Sequence, residues 1–203
     1  MTKQERKNVE MAIRSYLLQK NIYQDIFGSD KWIISISPNE ADNTAAEMDK
    51  QGADVAICDY STQKCVDEKF QEKVEPFFPF KIGAGRPLQE RGLFWSECIT
   101  DFYNFVRINS NIPINQIVAA NDIISLDILI VSKKELVDKI EETTNLTCVD
   151  IFAKAVQLSR IRNSYLLLRN GIRLFNTKTG DGTIYINIPN SVLEGIAVCK
   201  GVV

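Results

Sequence analysis

Three ionisable residues stand at a spacing that could do chemistry: Asp54, then Asp67 and Lys69 one position apart on the far side of a short polar break. Two carboxylates converging on one point bind a hard divalent cation through oxygen, and an ammonium beside them orients a nucleophile or neutralises charge developing on a phosphate. A cation held there lowers the pKa of a bound water and stabilises a charged transition state. The rest of the chain narrows the alternatives. It contains no histidine, so Ser-His-Asp and Cys-His hydrolysis have no base. Five cysteines, none in a C-x-x-C pair, argue against a zinc site. Carboxylates, lysines or an oxygen-ligated metal are what remain.

For those groups to meet, the chain between them must fold back. ADVAICD and KCVDEKF are two short runs separated by a few polar residues, the pattern of a β-hairpin. With Ser61 and Thr62 at the tip, Asp54 faces Lys69 and Ala56 faces Asp67. Alternation puts Asp54, Ala56, Cys58, Cys65, Asp67, Lys69 and Gln71 on one face, and Val55, Ile57, Val66 and Phe70 on the other. Glu68 belongs to the apolar side, which makes it a helix-facing or edge group rather than a ligand. Cys58 and Cys65 then oppose each other as small, partly buried residues. An acid-x-lysine tripeptide alone carries nothing, since roughly two are expected by chance and two occur. The competing account of Asp54, Asp67 and Lys69 is a solvated sheet face with a cross-strand ion pair worth about 0–1 kcal/mol.

The surrounding elements read as follows. Residues 3–20 form an amphipathic helix with Val9, Ile13, Tyr16 and Leu17 on one face, and Glu10 pairs with Arg14 one turn later. KWIISIS is a strand ending at Pro38. Residues 39–52 are a polar loop with a short helix near Ala45 and Ala46. A strand at 77–82 lies within a stretch rich in proline and glycine, followed by strands at 93–96 and 100–108. IISLDILIVS is a buried strand running into a helix that Ser132 and Glu135 start as a capping box, and Thr147 and Asp150 start another over about 148–159. RNGIRLFN and GTIYINIP are short strands around a Gly-Asp-Gly turn. Most of Trp95, Phe102, Tyr103 and Phe105 are core at strand spacing, GAGRPLQERG is a surface connection carrying Arg86 and Arg91, and Arg160, Arg162, Arg169 and Arg173 make the most basic region. This order gives an α/β (α+β) fold, a mixed central sheet flanked by helices.

The run from Asp54 through Asp67-Glu68-Lys69 resembles the active-site hairpin of the PD-(D/E)xK nuclease superfamily. The wider succession GSDKWIISIS, ADVAIC, VDEKFQ, FPFKI and ILIVSKKEL is similar to small uncharacterised members with that restriction-endonuclease-like core. The resemblance implies hydrolysis of DNA phosphodiester bonds, with Asp54 and Asp67 ligating Mg2+, for which Mn2+ can substitute. Lys69 would contact water or phosphate, Gln71 would add a polar group, and Glu10 matches the helical glutamate of some members. Ala53 stands where the name-giving proline would be, and Phe80 and Lys81 stand where an acid is expected. The likeness covers roughly residues 1–145 of a single 1–203 domain, leaving 146–203 as a C-terminal helix and strand extension. A catalytically inactive member that binds DNA or a protein partner fits the same residues.

Bulk properties set the frame. At 203 residues with 45% hydrophobic and 25% charged side chains, the chain can bury a core without disulfides or a structural metal. The charged N-terminus is unlike a signal peptide, and every apolar run is too short to span a bilayer. A cytoplasmic protein without membrane partners is expected, with DNA and a divalent metal as partners and a homodimer where both strands must be cut. The net charge of −2 gives no general attraction to nucleic acid, so such binding must be local.

Overall fold

The structure is a computed structural model and describes residues 1–36, 48, 53–71, 75–85, 88–90, 92–95, 97–161, 163–176 and 182–203. In chain order the helices are α1 (Lys3–Gln19), α2 (Ile22–Phe27), α3 (Lys133–Thr144), α4 (Cys148–Leu158) and α5 (Asn190–Glu194). The strands are β1 (Trp32–Ser35), β2 (Val55–Cys58), β3 (Gln63–Phe70), β4 (Phe77–Ala84), β5 (Gln89–Glu90) and β6 (Thr100–Asn109). They continue with β7 (Ser125–Ser132), β8 (Tyr165–Leu167), β9 (Arg173–Asn176), β10 (Ile184–Pro189) and β11 (Ala197–Val202). The chain divides into two compact units, one of residues 1–74, 100–131 and 197–203, the other of 75–99 and 132–196. No helix among the described residues is long and apolar enough to cross a membrane.

The first unit is a six-stranded mixed sheet in the order β1-β2-β3-β6-β7-β11, bearing out a mixed central sheet flanked by helices. Strands β1, β2 and β3 are antiparallel neighbours, whereas β3 runs parallel to β6. Helix α1 starts at a complete capping box, Thr2 Oγ1 accepting from the Glu5 amide at 3.2 Å and Glu5 Oε2 accepting from the Thr2 amide at 2.5 Å. Its apolar stripe, Val9, Ile13, Tyr16 and Leu17, is buried in one core with Val55, Ile57 and Val66, as the helical and strand periods require. The β2–β3 hairpin forms with the expected faces but a different register, Val55 opposite Val66 and Ala56 opposite Cys65. Asp59 is the reason. Its Oδ1 accepts from the Ser61 and Thr62 amides at 2.8 and 2.7 Å, its Oδ2 accepts from Thr62 Oγ1 at 2.9 Å, and Asp59 N–H bonds Thr62 O, so a four-residue turn replaces a tip at Ser61–Thr62. The slip is two residues, so every side chain keeps its face. Cys58 now faces Gln63 rather than Cys65, and neither cysteine is in a disulfide.

The second unit holds a five-stranded antiparallel sheet in the order β5-β4-β10-β9-β8. The strand expected at 93–96 is not found over its described residues 93–95: Gly92–Phe94 make a 3-10 turn, started by Gly92 at φ +72°, where a Cβ would fall 2.3 Å from the Lys81 carbonyl oxygen. Helix α4 begins at the expected capping box of Thr147 and Asp150; at α3 only the hydroxyl half forms, Ser132 Oγ accepting from the Glu135 amide at 3.5 Å. The short helix expected near Ala45, most of the Gly-Asp-Gly turn, and Arg86, Arg91 and Arg162 lie outside the described residues.

Candidate active site

Asp54 ends the segment leading into β2, its amide donating to Val66 O and its carbonyl accepting from the Ile36 amide, each at 2.9 Å. Its carboxylate reaches across to β3, where Oδ2 accepts from the Glu68 amide at 2.7 Å. The other oxygen accepts from Arg14 Nη2 at 2.5 Å. Arg14 is marked by spacing along the sequence only as a surface partner of Glu10. It sits on α1 at the border of the apolar stripe, donates through Nε to Glu68 Oε2 at 2.9 Å and through Nη1 to Ile36 O at 3.0 Å, and so uses three directions of its fork at once. Burial pulls its guanidinium's pKa down, and the Glu68 and Asp54 carboxylates more than offset this, leaving it raised. Glu10 pairs with Arg6 at 3.0 Å rather than with Arg14.

Glu68 faces the helices, as alternation requires. Its second oxygen, Oε1, accepts from the Tyr23 hydroxyl at 2.5 Å, and that hydroxyl in turn accepts from Asn104 Nδ2 at 3.1 Å. Burial drives the Tyr23 phenol well above its ordinary range, and the Glu68 carboxylate adds to this. Burial also raises the Glu68 carboxyl, against the pull of Arg14. A chain Asp54–Arg14–Glu68–Tyr23–Asn104 thus links the segment before β2 with α1, β3, α2 and β6 through hydrogen bonds and ion pairs between largely buried groups, and leaves Asn104 Oδ1 buried without a partner among the described residues.

Asp67 points to the other face. Lys69 Nζ lies 2.6 Å from Asp67 Oδ2, an ion pair along one strand rather than across two. This face is not solvated: Asp67 is 8% exposed, and Ala56, Cys65, Tyr103 and Phe105, which share the face by register, are also buried. Burial raises the Asp67 carboxyl to about 7; Lys69 pulls against it, and the neighbouring Asp54 carboxylate pushes it up further. A surface ion pair does not account for a carboxyl in that state.

These groups border one cavity of about 230 Å³, lined on the acidic side by Glu10, Asp54, Asp67 and Glu68. Its cations are Arg6, Arg14 and Lys69, so four carboxylates face three positive charges. Gln71, just past β3, does not line it. Among the described residues no three Asp, Glu or Cys side chains stand together as a ready metal-ligand cluster. Two carboxylates do stand together, Asp54 and Asp67, close enough that one suppresses ionisation of the other. That donor set fits a hard cation that keeps several of its own waters, because each Asp54 oxygen retains a lone pair beyond the one it gives to Arg14 or to the Glu68 amide. Comparison of the chain with protein-family models, with curated proteins and with solved structures found no match in any of the three.

Proposed function

We propose that this cavity hydrolyses phosphodiester bonds of DNA with the help of Mg2+, for which Mn2+ substitutes, and that Asp54 and Asp67 hold the ion while Lys69 faces the reacting phosphate. The observation that carries the reading is the buried Asp67 next to the half-buried Asp54, with the Asp67 carboxyl raised to about 7 beside a lysine 2.6 Å away. Two acids, one of them buried, beside a single partly exposed ammonium constitute a site short of positive charge. A divalent ion bound there would supply that charge and a water acidic enough to attack phosphorus at neutral pH. The chain's own residues do the rest. Arg14 and the Glu68 amide fix the rotamer of Asp54 from two directions, so its oxygens are placed before any ligand arrives. The Lys69 ammonium, 2.6 Å from Asp67, would meet a phosphate oxygen and neutralise charge that grows there. Glu10, at the cavity wall and held by Arg6, is positioned to accept a hydrogen bond from a water entering the cavity.

The test is cleavage of plasmid and single-stranded DNA in Mg2+ or Mn2+ by the wild-type chain, Asp67→Ala and Lys69→Ala. Loss of at least about a hundredfold in both variants is expected, from the typical worth of one charged group acting on the transition state. Activity that survives both substitutions removes these residues from the chemistry. A second reading, a catalytically silent module of the same arrangement, is favoured by the close Arg14–Asp54 pair, and binding without cleavage in every divalent ion would select it.

A further inference from the structure

The second unit carries a different site. On the sheet's outer face, register places Tyr165 beside Phe175 and Phe175 beside Tyr185, and in the next row Arg173 beside Asn187. The Phe175 and Tyr185 rings stack at 5.3 Å and 19°, and the Arg173 guanidinium lies 4.7 Å above the Phe77 ring. The opposite face, with Phe78, Phe80, Leu174, Ile186 and Ile188, is fully committed to the core, so the aromatic row is surplus to packing. Tyr165 and Phe175 of this row border an open hollow of about 510 Å³, wide enough for a nucleotide.

Two features say what the hollow takes. Asn187 lines it, is 4% exposed, and its Oδ1 is buried with no hydrogen-bond partner among the described residues. A buried amide oxygen left unpaired is costly, and a donor on a ligand would satisfy it. Arg173 has no carboxylate within ion-pair distance among the described residues, and its flat cation is placed for a phosphate. Tyr165 stands 73% exposed at the rim, an aromatic side chain held in water by the edge strand. Rings for stacking, a recessed acceptor for a base N–H and a guanidinium with no carboxylate partner among the described residues are together the requirements of one unpaired nucleotide.

We propose that the outer face of this sheet binds an unpaired nucleotide within a single strand, its base on the Phe175–Tyr165 side and against Asn187, and its phosphate on Arg173. The site shares no residue with the acidic cavity, so it stands whether or not that cavity cleaves.

The experiment is fluorescence anisotropy of the full chain with short labelled single strands of DNA and RNA, in EDTA so that no cleavage intervenes. Wild type should bind a single strand about tenfold or more tighter than the matching duplex, than free mononucleotides, and than a strand whose central residues are abasic. Tyr165→Ala and Arg173→Gln, both at exposed or half-exposed positions, should each weaken binding about tenfold with an unchanged melting temperature. Equal affinity for the duplex, for the abasic strand or for the free nucleotide overturns the proposal, as does unchanged binding in both variants. DNA cleavage without this binding would leave the acidic cavity's role intact and remove only this site.

Discussion

Asp67 is the residue on which burial, charge and chemistry meet. Its carboxyl is raised to about 7 because it is desolvated next to Asp54, and Lys69 only partly compensates. An unfolded aspartate ionises near 3.9, so the folded chain holds this proton more tightly than the unfolded one. The group's contribution to stability is therefore complete below about pH 4 and is lost as pH rises through about 7. Without divalent ions, Asp67→Asn should be more stable than wild type at pH 8, by about 1–3 kcal/mol in urea unfolding, with the difference vanishing towards pH 4. A metal bound at this pair would compete with the proton for the same oxygens. Below the pKa, Mn2+ affinity measured by titration calorimetry should rise about tenfold per pH unit and level off above about pH 7.5. An affinity flat between pH 5.5 and 7 would separate Asp67 from the ion.

At the scale of the elements, the hairpin's faces were legible and its register was not. Alternation sorts Val55, Ile57, Val66 and Phe70 from Asp54, Asp67 and Lys69 whatever the turn, because a two-residue slip conserves parity. The turn itself is written in Asp59-Tyr60-Ser61-Thr62, an aspartate able to cap two following amides, a signal that a two-residue tip overlooks. Asp59→Ala should lower the melting temperature and loosen hydrogen-exchange protection of β2 and β3 together, since the same side chain also pairs with Lys31 at 2.8 Å. Arg14 and Tyr23 were harder to see. Each acts through partners 20 or more residues away, and a helix pattern marks only that Arg14 borders the apolar stripe. Tyr23→Phe leaves Glu68 Oε1 without this donor in a desolvated place and should cost about 1–3 kcal/mol in urea unfolding. A neutral effect would mean that water reaches the network.

For the whole molecule, composition told most about what the chain lacks and least about how it is partitioned. Strong strands such as β7 and strong caps such as Thr147 are local and were readable; the passage of the chain from one unit to the other at residues 75, 100, 132 and 197 is set by non-local pairing and leaves no local mark. The second sheet was visible only as scattered short strands, and β11, which closes the first sheet against β7, not at all. Net charge matters at this scale too. With −2 overall, single-strand binding should depend on salt only through local cations, giving a slope of log K on log [NaCl] of about −1 to −2. A slope several times steeper would indicate a broad basic surface instead of the Arg173 hollow.

The proposed chemistry requires Asp54 and Asp67 to share a cation. Anomalous diffraction from crystals soaked in Mn2+ above pH 7.5 locates that ion directly. A single peak between the two carboxylates, with the Lys69 ammonium withdrawn from Asp67, is the result expected. Saturating Mn2+ that gives no peak there, or one that leaves the Asp67–Lys69 pair closed, would contradict it.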